Sequence, residues 1–315
     1  MSSGGSDVRA EETAIDLTRE GSDIDGRTNG FVRYVFFSCA LVTVLTTLGI
    51  ILVLVQGSLE FFSEVSIVEY FTGANWSPVI RPRSYGVLPL IWGTMVITVG
   101  SALIAIPVGT LTAIYLSEYA QPRIRKTVKP TLEILAGVPT IVYGFFALSF
   151  ITPLLQRVWP QTGTFNLAAG AIVVGIMIIP MVSSLSEDAM SAVPDDLRNA
   201  AYGLGSTKFE VSTKVVVPSA LSGIIASYIL ALSRAIGETM AVTLAAGMVP
   251  QITTDPFEPI QTMTAYMVQI GISDVSVGSI GYQSLFAVGM TLFVMTLAMN
   301  LISLWVKSRY REEYQ

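Results

Sequence analysis

Six stretches of the chain are apolar almost without interruption, near residues 34–55, 87–116, 135–155, 167–185, 220–247 and 284–306. A hydrocarbon core about 30 Å thick needs about 20 residues of helix, with every backbone polar group satisfied inside the segment. The pattern therefore predicts an all-α integral membrane protein with six transmembrane helices. Between the stretches, polar residues and prolines return. Pro107, Pro139 and Pro180 lie within or at the edge of a stretch, near Gly109, Gly137 and Gly175, where a helix either kinks for packing or breaks beside a cavity.

Charge orients this pattern. Lys and Arg accumulate in the cytoplasmic connections of a membrane protein. With the N-terminus inside, the inner segments hold Arg9, Arg19, Arg27, Arg33, Arg123, Arg125, Lys126, Lys129, Arg198, Lys208, Lys214, Lys307, Arg309 and Arg311. The outer segments hold only Arg81, Arg83 and Arg157, so both termini are expected in the cytoplasm. Residues 1–30 are rich in Ser, Gly, Asp and Glu and are expected to form a disordered acidic tail, followed by the first span and an external loop over 31–86. A transmembrane domain is expected over 87–307 and a short cytoplasmic tail over 308–315. The outer segments 57–86 and 250–283, with Phe61-Phe62, Trp76-Ser77-Pro78 and Arg81-Pro82-Arg83, read as ordered interfacial structure.

Composition removes several kinds of function. Only 13% of residues are charged against 52% hydrophobic, which excludes a plain soluble enzyme. The net charge is -5, so no basic surface for nucleic acid is expected. There is no His and a single Cys, which excludes a Cys/His zinc site, a His-based triad and an internal disulfide; no metal or cofactor is expected. A phosphate-cradling loop G-x-x-x-x-G-K-[ST] is also absent, since in Gly205-Ser206-Thr207-Lys208 the Lys does not follow the glycine. The chain is expected to be no enzyme, with any ATP hydrolysed in a separate subunit.

The inner loop over residues 186–218 carries its own helix signals. Pro194 with Asp195 and Asp196 opens a helix over 196–204, Gly203 and Gly205 stop it, and Thr207 with Glu210 has capping-box spacing for a second helix ended by Pro218. Within this loop Asn199-Ala200-Ala201, Gly205, Val215 and Val217-Pro218 stand at the spacing EAA-x3-G-x9-I-x-LP. This resembles the EAA signature of ABC importer permeases, with Asn199 in place of Glu and Val in place of Ile and Leu. The resemblance implies that Asn199, Ala200, Ala201, Gly205 and Pro218 belong to coupling helices seated on a cytoplasmic ATPase.

In the fifth stretch, Arg234 and Glu238 stand mid-span, where ionised side chains are costly and usually face a bundle interior or a watery path. On a continuous helix their spacing puts them on one face. Two uses are open: an internal ion pair that neutralises itself, or an anion donor at Arg234 with Glu238 tempering its grip. No second polar centre is expected inside the spans, the other nearby acid being Glu133 at the start of the third.

The segment from Arg234 to Val242, together with Trp76-Ser77-Pro78, Gly86-Val87-Leu88-Pro89, Leu135 to Gly144 and Ile179-Pro180, resembles permease subunits of the phosphate-specific ABC transporter over about residues 70–248. Thr239-Met240-Ala241-Val242 matches one of the two sister permeases and not the other, which continues Thr-Ala-Pro. The resemblance implies a type I ABC importer permease fold in the cell membrane, and Arg234 and Glu238 on the path of phosphate. It further implies a homologous second permease, a dimer of ATP-binding subunits and an external phosphate-binding protein as partners, with membrane lipid around the bundle. Importers of molybdate, sulfate or phosphonate would share the loop, and a secondary transporter would need no ATPase.

Overall fold

Apolar sequence makes the membrane-crossing part of the first helix. In a computed structural model, residues 7–309 are described, with side chains described over 32–305. Helix α1 (Asp7–Glu64) is apolar enough to cross a membrane over Val32–Glu64. The acidic tail expected over residues 1–30 falls outside the residues whose side chains are described, as do residues 308–315. The chain divides into two compact units, residues 1–56 and 57–315. Among the described residues, the first holds only α1 helix.

The second unit opens with a small cap. Helix α2 (Ile67–Thr72) is followed by a two-residue antiparallel pair, β1 (Trp76–Ser77) and β2 (Ser84–Tyr85), in register Trp76 to Tyr85. Phe61, Tyr70, Trp76, Tyr85 and Tyr266 meet edge to face at 4.9–6.1 Å, an arrangement that aromatic quadrupoles favour. The ordered structure expected over 57–86 is present.

Helix α3 (Leu88–Ile114), with Pro89 in its first turn, runs into a π-turn at Tyr115–Tyr119. Then α4 (Pro122–Ala136) is amphipathic, and Gly137, Val138 and Pro139 separate it from α5 (Thr140–Phe146), a π-turn (Ala147–Ile151) and α6 (Thr152–Val158). The third crossing is therefore Thr140–Val158, not 135–155. Pro139 lacks an N–H and bars its predecessor from helical geometry, so the crossing starts after it. Pro107 and Pro180, by contrast, sit inside unbroken helices α3 and α7 (Leu167–Ser191).

α7 is the axis of the unit, capped by the Asn166 side chain accepting from Ala169 N–H at 2.7 Å. Its core residues Val173, Val174, Met177, Ile178 and Val182 are fully buried, packed with Ile97 and Ala105 of α3. After it come α8 (Asp195–Gly203), α9 (Lys208–Val211), a π-turn (Ser212–Val216), α10 (Val217–Ser219), α11 (Leu221–Ile236), α12 (Met240–Ala246), α13 (Met263–Ile272) and α14 (Ile280–Arg309).

Among the described residues, five helices are long and apolar enough to cross a membrane, and a sixth crossing exists if one bent pair is counted. The pair joins Lys208–Ser219 to Leu221–Ile236 at 69°. The fifth stretch, expected as one span over 220–247, is thus broken: the chain bends at Ala220, and α11 stops at Ile236 before α12 begins at Met240. Gly237 closes α11 as a C-cap residue, and Pro218 lies one residue inside α10 and does not end it.

Candidate translocation and coupling sites

Two broken helices meet where the central charges lie. The break at residues 137–139 faces the break at 237–239, because α5 packs on α12: a Cβ at Gly144 would lie 3.0 Å from the Ala241 Cα and 2.9 Å from the Leu244 Cβ. Only glycine lets these backbones approach so closely. Breaking a helix leaves carbonyls without partners. At the α4 terminus the Tyr143 hydroxyl donates to Leu135 O at 2.8 Å, and the Arg234 guanidinium approaches Ala136 O at 3.5 Å.

Glu238 does not share a helix face with Arg234, because α11 has ended. Its carboxylate accepts from the Ala241 N–H at 3.1 Å and so caps α12, while its own carbonyl accepts from the Thr264 hydroxyl at 2.7 Å. The Glu238 residue is buried, 7% exposed, whereas Arg234 is half-buried. Among the described residues Arg234 forms no ion pair. Its guanidinium makes one hydrogen bond among the described residues, the long one to Ala136 O, and lies near the Tyr143 hydroxyl that caps the same helix end. The self-neutralising pair left open by the sequence is not formed. What remains is a planar cationic fork, weakly engaged, beside two helix ends.

The inner loop folds as two short helices joined at a glycine turn. Asn199, Ala200 and Ala201 lie on α8, one residue earlier than expected at either end. Gly205 takes φ +84°, the left-handed region that favours glycine, and Ser206 N–H returns to Ala201 O at 3.2 Å. The capping box forms as its spacing predicts: Glu210 N–H to Thr207 Oγ1 at 3.4 Å, and Thr207 N–H to Glu210 Oε2 at 3.0 Å. The Thr207 backbone N–H, then Lys214 Nζ at 3.1 Å and the Thr207 hydroxyl, stabilise the ionised carboxyl and push Glu210 down to about 2. Pro218, on α10, precedes the 69° bend.

Sequence reasoning missed the densest charge cluster. Glu187, fully buried near the end of α7, accepts from Arg125 and from Lys129 Nζ at 2.6 Å, both on α4, and from Ser191 Oγ at 2.9 Å. Lys129 also pairs with Asp188. Burial alone would lower the Lys129 pKa; the hydrogen bonds that Lys129 donates to Asp188 and Glu187, with the charges of those acids, outweigh it and raise the pKa above the usual lysine value. A second cluster joins Arg198 of α8 to Glu118 of the first π-turn at 3.2 Å. Glu133, the acid singled out from the sequence, lies exposed on α4. The expectation of a single polar centre is corrected: Glu187 and Glu118 are buried too. Their sequence signal, acids within a few residues of a span end, was present; their partners, 62 and 58 residues away for Glu187, were not predictable.

The hairpin of α8 and α9 is thus tied to the end of an apolar bundle by the Arg198–Glu118 pair and by a buried cluster around Met190 and Val211. The chain belongs to the family described as binding-protein-dependent transport system inner membrane component, whose profile matches residues 105–312. It is an integral membrane protein of that family. It is 34% identical over 280 residues to the probable ABC transporter permease protein YqgH of Bacillus subtilis, covering 88% of this chain and 90% of that one. It is 32% identical over 325 residues to the phosphate transport system permease protein PstC of Mesorhizobium japonicum, covering 96% and 98%. In fold it is similar to a bacterial alginate ABC transporter solved with a periplasmic protein bound to an alginate pentasaccharide: TM-score 0.59, 15% identity, 86% of this chain and 92% of that one. This is the type I ABC importer permease fold.

Proposed function

We propose that the chain is the permease subunit of an ATP-driven importer of inorganic phosphate, the counterpart of its relatives named PstC. It forms half of the path and the lever that opens it. The observation that carries the reading is Arg234: a guanidinium at a helix break, without a carboxylate partner. Guanidinium presents donors in a fork that matches a tetrahedral oxyanion. Loose engagement suits a conduit, where an ion must bind and also leave. Glu238 acts one step back, holding the start of α12 while placing negative charge close enough to limit how tightly the anion is held.

The chain carries no ATP site in this reading; a PstB-like dimer of ATP-binding subunits hydrolyses ATP. Asn199, Ala200, Ala201, Gly205 and Pro218 shape the segment that meets it. Leu197, Tyr202, Leu204 and Phe209 on that segment are exposed, Leu204 by 89%, an apolar surface fit for a groove in a partner. A PstA-like sister permease completes the path, and a PstS-like binding protein delivers phosphate on the outer face, where the aromatic cap lies. Both chain termini and the loop over 186–218 face the cytoplasm.

The test is uptake of radiolabelled phosphate into vesicles holding the chain with its partner subunits. Uptake requires ATP, is competed by arsenate as a near isostere, and is little affected by sulfate or molybdate. ATP-dependent uptake of molybdate or sulfate in preference to phosphate assigns another oxyanion. Uptake that ignores ATP and follows an ion gradient makes the chain a secondary transporter.

A further inference from the structure

We propose that Arg198 is a positioning residue of the coupling device, a clamp that makes α8, the end of α7 and the end of α3 move as one body; the proposal rests on the coupling role given to this loop above. Arg198 sits immediately before Asn199, yet its side chain turns away from the exposed surface of α8 and is only 14% exposed. Its Nη2 donates to Met190 O at 2.8 Å and to Glu118 Oε1 at 3.2 Å, its Nη1 donates to Val193 O, and its Nε lies 3.4 Å from Glu118 Oε1. One guanidinium thus joins the nearby end of α7, five and eight residues back, to Glu118, 80 residues away. The carbonyls belong to the last turn of α7 and the bend after it, and the carboxylate to the π-turn that ends α3.

Burial decides how much this matters. The Glu118 side chain is 6% exposed, so an Arg198 that moved away would leave a buried carboxylate without its cation. Asp195, the other acid on Arg198, is 88% exposed at 3.1 Å and adds little. A displacement of α8 must therefore carry Glu118 and the α3 terminus with it. π-turns recur at functional sites, and this one places the acid where α3, the main packing partner of α7, leaves the bundle. A separate apolar contact also ties the loop down: Ala113, Met190, Val193, Val211, Val216 and Ala220 form one buried cluster. The clamp adds direction, since hydrogen bonds to fixed carbonyls resist sliding where apolar contacts do not.

The experiment measures phosphate imported per ATP hydrolysed in vesicles containing the whole transporter, for wild type, Glu118→Gln, Arg198→Lys and Glu118→Gln/Arg198→Gln. Gln keeps the shape of Glu118 without its charge; Lys keeps the charge of Arg198 without the fork. The expected result is an assembled complex whose basal ATP hydrolysis, without the binding protein, stays near the wild-type rate, with the import ratio lowered about fivefold or more in each single variant. The double variant is no worse than the poorer single, because both remove one interaction. An unchanged ratio in both single variants overturns the proposal, as does loss of assembly with an unchanged ratio in the complex that survives. Should wild type hydrolyse ATP but import no phosphate, the transport reading fails. The clamp is then read in the stimulation of ATPase activity by the binding protein, which Glu118→Gln must abolish if the proposal holds and leaves intact if it does not.

Discussion

Two charged regions of this chain are built on opposite rules. Around Glu187 and Arg198 every buried charge is met: Glu187 by Arg125, Lys129 and Ser191, and Glu118 by Arg198. Around Arg234 the cation is left with a carbonyl at 3.5 Å, and its neighbour Glu238 is spent on capping α12. A charge that holds structure needs permanent partners, because one left alone in an apolar setting is expensive. A charge that meets a passing ion must keep its partnering capacity open. In the proposed reading the contrast separates scaffold from conduit within a single subunit, and the same residue types serve both.

The comparison can be broken most readily at its extremes. Arg234→Ala is expected to lower phosphate uptake by about a hundredfold, while the melting temperature of the complex stays near that of wild type; thermal unfolding and uptake on one preparation check both. Glu187→Gln is expected to do the reverse. It strands Arg125 and Lys129, whose side chains are 40% and 27% exposed, so the cost is below that of a fully buried pair, about 2 kcal/mol. Calorimetry or a thermal shift of the purified complex reads that loss, and a melting temperature equal to wild type would remove Glu187 from the scaffold.

Smaller effects sharpen the picture at the glycine turn. Gly203 and Gly205 both have open space where a Cβ would stand, but only Gly205 has positive φ, +84°. Gly205→Ala should therefore cost about 1 kcal/mol and Gly203→Ala should be neutral or slightly stabilising, as alanine favours helix over glycine. Equal melting temperatures for the two variants would mean that the turn is not held in the left-handed region. The smallest effect concerns Glu210. Its folded pKa is depressed to about 2, so the stability it lends to α9 is present above the ordinary carboxylate value and is lost as pH falls through about 2. A carboxyl carbon titration by NMR should find that midpoint; one near 4.5, the ordinary value, would show the capping box open in solution.

Local signals were legible in the sequence and distant ones were not. The capping box of Thr207 and Glu210, the α8 helix and the glycine turn each depend on residues within a few positions, and each folds nearly where its residues predict. The break after Ile236 was also written locally: Arg234 in a last turn followed by Gly237 is a helix stop. Averaged hydropathy over 220–247 hides it, since Gly237 and Thr239 weigh little among Ala, Ile and Leu. Gly137-Val138-Pro139 was hidden in the same way within 135–155. Glu187 is different in kind. Ser183-Ser184-Leu185-Ser186-Glu187-Asp188 reads as a span fading into a polar loop, and only the packing of α4 along α7 turns its carboxylate into a fully buried anchor. The candidate residues Arg234 and Glu238 stand out by their cost in a membrane, but their relation to each other depended on a helix that does not continue.

The central claim is that Arg234 is a conduit charge and not a structural one. The most direct measurement is ATP-dependent uptake of radiolabelled phosphate by vesicles containing the Arg234→Ala and Arg234→Lys subunits, each normalised to the amount of assembled complex. The account predicts near-complete loss with Ala, partial retention with Lys, and full assembly in both. Uptake by Arg234→Ala equal to that of wild type, or loss of uptake only in proportion to loss of assembled complex, would contradict it.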